Sequence, residues 1–94
     1  MIVINCSFIS ETTNMNDFFK VLEKEGLVAG SRADKGCLKY DFYVNTEDAT
    51  KMMLVENWET VEDLQAHSET ELFQKFRPVC KEYGVKTRMS MFEE

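Results

Sequence analysis

The stretch CLKYDFYVNTEDATKMMLVENW, residues 37–58, decides the architecture of this chain. From Cys37 to Asn45 the residues alternate: Leu38, Tyr40, Phe42 and Val44 fall on one side of an extended chain, Cys37, Lys39, Asp41 and Tyr43 on the other. A period of two marks a strand, because successive side chains point to opposite faces of the pleat. Lys51–Trp58 repeats the pattern, with Met52, Leu54, Glu56 and Trp58 opposed to Met53, Val55 and Asn57. The polar loop between the two runs is short, which predicts an antiparallel hairpin.

Upstream, Met1–Ile9 is rich in β-branched residues and apolar on both faces, a strand covered on both sides. Asn14 suits an N-cap, with Asp17 in the first turn beyond it. Met15, Phe18, Phe19, Leu22 and Leu27 then follow helical spacing to about Arg32, with Gly26 a weak spot costing ~1 kcal/mol. Asp34-Lys35-Gly36 is turn chemistry. Downstream, Thr60 with Asp63 opens a helix, and Ser68 with Glu71 forms a capping box for another, whose first part Pro78 kinks or ends and which Gly84 stops. Val85–Phe92 closes the chain as a strand. The order β-α-β-β-α(α)-β predicts an α+β, ferredoxin-like (split β-α-β) fold in one domain, residues 1–94: a four-stranded antiparallel sheet with helices on one face.

The other sheet face carries Val3, Ile9, Cys37, Tyr43, Met53 and Val55, too apolar for one wet patch. A second copy packed sheet to sheet would cover it, so a homodimer closed as a dimeric α+β barrel is expected. Seventeen acids against eleven bases give a net charge of −6, which argues against nucleic acid or an anionic membrane as partner. Met1–Phe8 is too short to span a bilayer and lacks the basic start and cleavage site of a signal peptide, so a cytoplasmic location is expected. Cys6, Cys37 and Cys80 include no CxxC and read as small reduced hydrophobes. With a lone histidine, His67, and no cation-binding loop, no metal and no cofactor is expected.

On the helix side, Glu56 and Trp58 share a strand face with Tyr40 of the neighbouring strand, and His67 follows just past the next short helix. Together they predict an aromatic-walled pocket with a carboxylate, a phenol and an imidazole near its rim, suited to a flat phenolic molecule. Trp58 and Tyr40 would bind substrate; Glu56, raised by burial, or His67, titrating near neutrality, would take a proton. Asn5 could project its amide toward the same cavity. A purely structural alternative pairs Glu56 with Arg88 or Arg77 and leaves Trp58 as core.

The segments SRADKGCLKYDFYVN (31–45) and MMLVENWETVEDLQAHSETELFQKF (52–76) resemble the antibiotic biosynthesis monooxygenase family, including the small bacterial quinol monooxygenases. The matching residues are Ser31, Gly36-Cys37-Leu38 and Tyr40, then Glu56 and Trp58, then Leu64, Ala66 and His67, then Phe73 and Phe76. The resemblance implies a dimeric ferredoxin-like fold and oxygenation of a small quinol or phenolic aromatic by O2 with neither flavin nor metal. Some members carry an asparagine four residues before the tryptophan, where this chain has Leu54. Two other readings stand beside it: a non-catalytic dimeric module that binds an aromatic ligand or serves a stress response, and haem binding or degradation. The second is disfavoured, because no histidine lies near Phe76-Arg77.

Overall fold

A computed structural model describes all residues, Met1–Glu94. The elements run β1 (Ile2–Ile9), α1 (Met15–Lys24), α2 (Leu27–Ala33), β2 (Cys37–Val44), β3 (Lys51–Trp58), α3 (Val61–Ser68), α4 (Glu71–Gln74), α5 (Phe76–Glu82) and β4 (Lys86–Glu93). The four strands form one sheet in the order β2-β3-β1-β4, every neighbouring pair antiparallel. This is the ferredoxin-like arrangement that the element order predicts.

One sheet face packs on the helices. Ile2, Ile4 and Phe8 of β1, Met52, Leu54, Glu56 and Trp58 of β3, and Tyr40 of β2 are buried there against Met15, Phe18 and Leu22 of α1 and Leu27 and Val28 of α2. Phe8 stands at the centre of an aromatic cluster, its ring 6.3 Å from Phe18, 6.2 Å from Phe42 and 5.8 Å from Phe76 between centroids. Such tilted pairs each add ~0.5–1.5 kcal/mol beyond the area they bury.

Local chemistry corrects several sequence expectations. The long helix divides at Gly26, whose φ of 80° is left-handed: it ends α1 and serves as N-cap of α2. That break turns α2 so that Gly30 lies against Leu72, where any β-carbon would collide. Thr70, not Ser68, caps α4, its hydroxyl accepting from the Phe73 amide, while the Ser68 hydroxyl donates to the Gln65 carbonyl. Pro78 falls in the first turn of α5, where its missing N–H is harmless; the break comes earlier, at Lys75, because Pro78 cannot donate back to Gln74. The last strand starts at Lys86, one residue later than expected.

The bulge in β2 matters most. The register passes from Cys37↔Trp58 to Lys39↔Asn57, so Leu38 is an extra residue on its strand. Cys37 therefore turns toward the helices and packs on the core, and Leu38 is left 58% exposed rather than beside Tyr40. The uncovered sheet face keeps Val3, Ile9, Tyr43, Met53 and Val55, loses Cys37 and gains Phe92, paired with Val3.

Candidate active site

The bulge is also what sets the site. By restoring alternation at Lys39 it places Tyr40 opposite Glu56 on the helix side, while Cys37 sits opposite Trp58. Glu56 and Trp58 stand two residues apart on β3, so both side chains rise toward the helices, and the Trp58 indole N–H donates to Glu56 Oε1 at 2.9 Å. α3 is capped by Thr60, whose hydroxyl accepts from the Asp63 amide, and its last turn lowers His67 onto the pair. The His67 ring lies 4.6 Å from Trp58, 6.0 Å from Tyr40 and 5.0 Å from Phe73 between centroids. The structure thus brings Tyr40, Glu56, Trp58 and His67 together. Asn5 is not with them: it pairs with Val55 and Ser90, and strand alternation directs it to the opposite face of the sheet.

A fifth residue, missed from the sequence, completes the cluster. Asp34 Oδ2 lies 2.7 Å from His67 Nδ1. A carboxylate only accepts, so Nδ1 carries the hydrogen and Nε2 presents its lone pair. That Nε2 is buried with no hydrogen-bond partner, in a residue only 3% exposed. An orphaned buried acceptor costs about 1–3 kcal/mol, so the fold maintains it against a penalty. Asp34 is placed by the turn that ends α2: the Cys37 amide donates to the Asp34 carbonyl at 3.1 Å, and Gly36 takes a φ of 82°. The only sequence signal for its role is the Asp34-Lys35-Gly36 turn itself.

Burial governs the electrostatics of Glu56 and Tyr40. Burial raises the Glu56 carboxyl above its ordinary range; the Trp58 N–H and the nearby His67 pull it back without cancelling the effect. Glu56 is 7% exposed and forms no ion pair; Arg88 lies on the far face, opposite Ser7, so a pairing with Arg88 or Arg77 is not made. Burial, then the Glu56 carboxylate, drives the Tyr40 phenol well above its usual value, which keeps it protonated as a donor. Burial pushes the Cys6 thiol up to about 12 and Cys80 up to about 11, so neither is a nucleophilic thiolate.

The expected hollow is displaced. Trp58, Tyr40 and Glu56 are packed rather than lining an open pocket. Outside His67 lies a cleft of about 420 Å³ lined by Asp34, Lys35, Glu62, Asp63, Ala66 and Thr70. A larger groove of about 1170 Å³ runs between α4–α5 and the start of β4, with Phe73 in its wall. No group of three or more His, Cys, Asp or Glu side chains is gathered as a metal site.

A four-stranded antiparallel sheet with a buried carboxyl–indole–imidazole cluster beneath its helices defines an α+β class with a polar site inside the chain. Residues 18–79 match the family of antibiotic biosynthesis monooxygenases, and the chain belongs to that family. A conserved protein of unknown function from Bacteroides thetaiotaomicron shares 24% identity, with 99% of this chain and 96% of that one covered at a TM-score of 0.84. An antibiotic biosynthesis monooxygenase candidate from Nitrosomonas europaea shares 19% over 100% and 98% of the two chains, TM-score 0.85. A single-substitution mutant of SnoaB, a cofactor-independent oxygenase from Streptomyces nogalater, shares 9% over 99% and 91%, TM-score 0.83. At these identities the likeness is one of fold. No curated protein matches the sequence. No helix is long and apolar enough to cross a membrane.

Proposed function

We propose that this protein is a cofactor-independent monooxygenase that oxidises a small quinol or phenolic aromatic with O2, with His67 as the base. The observation that carries this reading is His67 itself: Nδ1 held by Asp34, Nε2 buried and unclaimed. A hydroxyl brought to Nε2 loses its proton to a base whose conjugate acid Asp34 stabilises. The phenolate then gives one electron to triplet dioxygen, the resulting radicals combine at carbon, and the peroxide collapses with loss of water. For a hydroquinone the sum is QH2 + O2 → hydroxyquinone + H2O, with both reducing electrons supplied by the substrate. Tyr40 and Trp58 back the imidazole with packed aromatic surface, and Glu56 anchors the indole. Family membership supports the reaction class.

Oxygen uptake with a hydroquinone panel tests the proposal. Wild-type protein should exceed buffer, His67→Ala should fall to the buffer rate while remaining folded, and Glu56→Gln should retain turnover. Buffer-level rates across the panel overturn it. The closed packing around Trp58 favours one rival, a non-catalytic module that holds an aromatic ligand; quenching of Trp58 by quinones with no product formed would establish that reading instead.

We also propose that two copies pack through the uncovered sheet face as a homodimer. Ile9, Tyr43, Met53 and Phe92 are exposed there, on the face that no helix covers.

A further inference from the structure

We propose that the groove between α5 and β4 binds the charged end of a planar aromatic acid, which makes a hydroxylated aromatic carboxylate the substrate of the site above. The inference rests on the oxygenase reading for its catalytic half alone.

Charge is the first argument. Arg77 and Lys81 stand four residues apart on α5 and so share one side of it, at the edge of the groove. Neither has a carboxylate within ion-pair distance; the three ion pairs of the fold are Arg32–Asp41, Lys51–Asp48 and His67–Asp34. No acidic residue lines the groove, whereas Asp34, Glu62 and Asp63 line the cleft outside His67. In a chain of net charge −6 these two unpaired cations, with Lys86 at the start of β4 as a third in the groove lining, form a local reversal of sign. An anionic aromatic is repelled from the acidic cleft and drawn to the groove, where the planar arginine fork matches a carboxylate.

Shape is the second. Beside the cations the groove is lined by Phe73, Phe76, Cys80 and Val85. Thr87 of β4 faces the same side as Phe8, and along the strand Met89 and Met91 follow it, 63% and 59% exposed because no helix reaches them. Methionine thioethers adapt readily to a flat ring. Phe73 then links groove to site: it belongs to the groove wall, and its ring meets His67 edge-on at 5.0 Å. It is carried by α4, a single turn. Phe73 is then the side chain that must move for a ring anchored by Arg77 and Lys81 to reach the imidazole.

Two matched probe pairs test this on the full chain. In fluorescence titrations, 2-naphthoate, which the protein cannot oxidise, should bind about tenfold tighter than neutral 2-naphthalenemethanol. The double variant Arg77→Gln/Lys81→Gln should cut that preference to about twofold, the remainder owed to Lys86, and leave the neutral probe unaffected. Equal binding of the two probes, or a preference untouched by the double variant, overturns the groove. So does loss of self-association in the double variant with no naphthoate binding by the wild type, which would make the groove a contact between copies. Oxygen uptake with 1,4-dihydroxy-2-naphthoate against 1,4-dihydroxynaphthalene separates the two ideas. Selective naphthoate binding with no uptake from either compound sinks the oxygenase reading and keeps the groove. Equal uptake from both, with an unchanged KM for the acid in the double variant, does the reverse.

Discussion

Asp34 Oδ2 stands 2.7 Å from His67 Nδ1 and ties the turn after α2 to the last turn of α3. The contact fixes the tautomer, and with it the side of the ring that can accept a proton. Asp34→Ala leaves both ring nitrogens of a buried histidine without partners, and should cost about 1–3 kcal/mol in a urea titration. Asp34→Asn keeps an acceptor oxygen but no charge, so it should lose less stability while hydroquinone turnover drops ~10-fold or more. Nitrogen NMR shifts of His67 check the cause: the Nδ1–H form should dominate in wild type and give way to a mixture in Asp34→Ala.

Glu56 yields a pH dependence with a definite sign. Its carboxyl is raised above the ordinary value of 4.5, chiefly by burial. Between the unfolded value and the higher folded one, the native state binds more protons, so stability falls as pH rises through that window. Below 4.5 the penalty is absent, and above the folded value it is complete. Glu56→Gln has no proton to lose and still offers Trp58 an acceptor. The variant should therefore gain on the wild type as pH rises from about 4 to about 8, read as the difference between urea midpoints. A difference that stays flat would mean that Glu56 titrates as it does in the unfolded chain.

Much of this site is visible in the sequence because its members obey simple periods. Glu56 and Trp58 share a face by strand alternation alone, and the Thr60 cap sets where α3 starts and hence where His67 lands. Alternation places Tyr40 correctly although for an incomplete reason. Counted forward from Cys37 it assigns Leu38 to the same side, and the bulge between Cys37 and Lys39 shows that only the later part of the strand keeps that phase. A single inserted residue carries no composition signal, so its neighbours Cys37 and Leu38 are exchanged. Asn5 is misplaced because β1 is apolar on both faces and its pattern carries no phase. Asp34 lies hidden for another reason: its partner is thirty-three residues away, and tertiary contact of that kind leaves no trace in local pattern.

Gly36 should be a sensitive position for both fold and site. Its φ of 82° disfavours any side chain, and a β-carbon there would collide with the Asp63 carboxylate of α3. Its carbonyl also accepts from the Glu59 amide at 2.8 Å, so the turn is locked to the end of β3. Gly36→Ala should cost about 1–3 kcal/mol. Because the same turn carries Asp34, the variant should also weaken the Asp34–His67 contact, seen as the NMR signature of Asp34→Ala in a chain with Asp34 intact. Gly84→Ala is the control: its φ is 66°, but nothing lies within reach of an added β-carbon, so it should lose stability without disturbing His67.

The proposed dimer gives the sharpest surface prediction. Tyr43 and Met53 are cross-strand partners on the uncovered face, both exposed in the single chain, and Val55 lies beside them. A two-fold axis brings like residues toward one another, so one substitution per chain enters the interface twice. Met53→Glu would set two carboxylates against apolar surface from which water is expelled. Light scattering should then give twice the 11.0 kDa chain mass for wild type and a single chain for Met53→Glu. The wild type should also melt at a temperature that rises with protein concentration, and the variant should not. Surface substitutions on the helix side, such as Glu23→Gln, should leave the mass unchanged, since α1 turns Glu23 to solvent. A wild type that scatters as one chain at every concentration would leave the apolar sheet face uncovered and remove the barrel from the proposal.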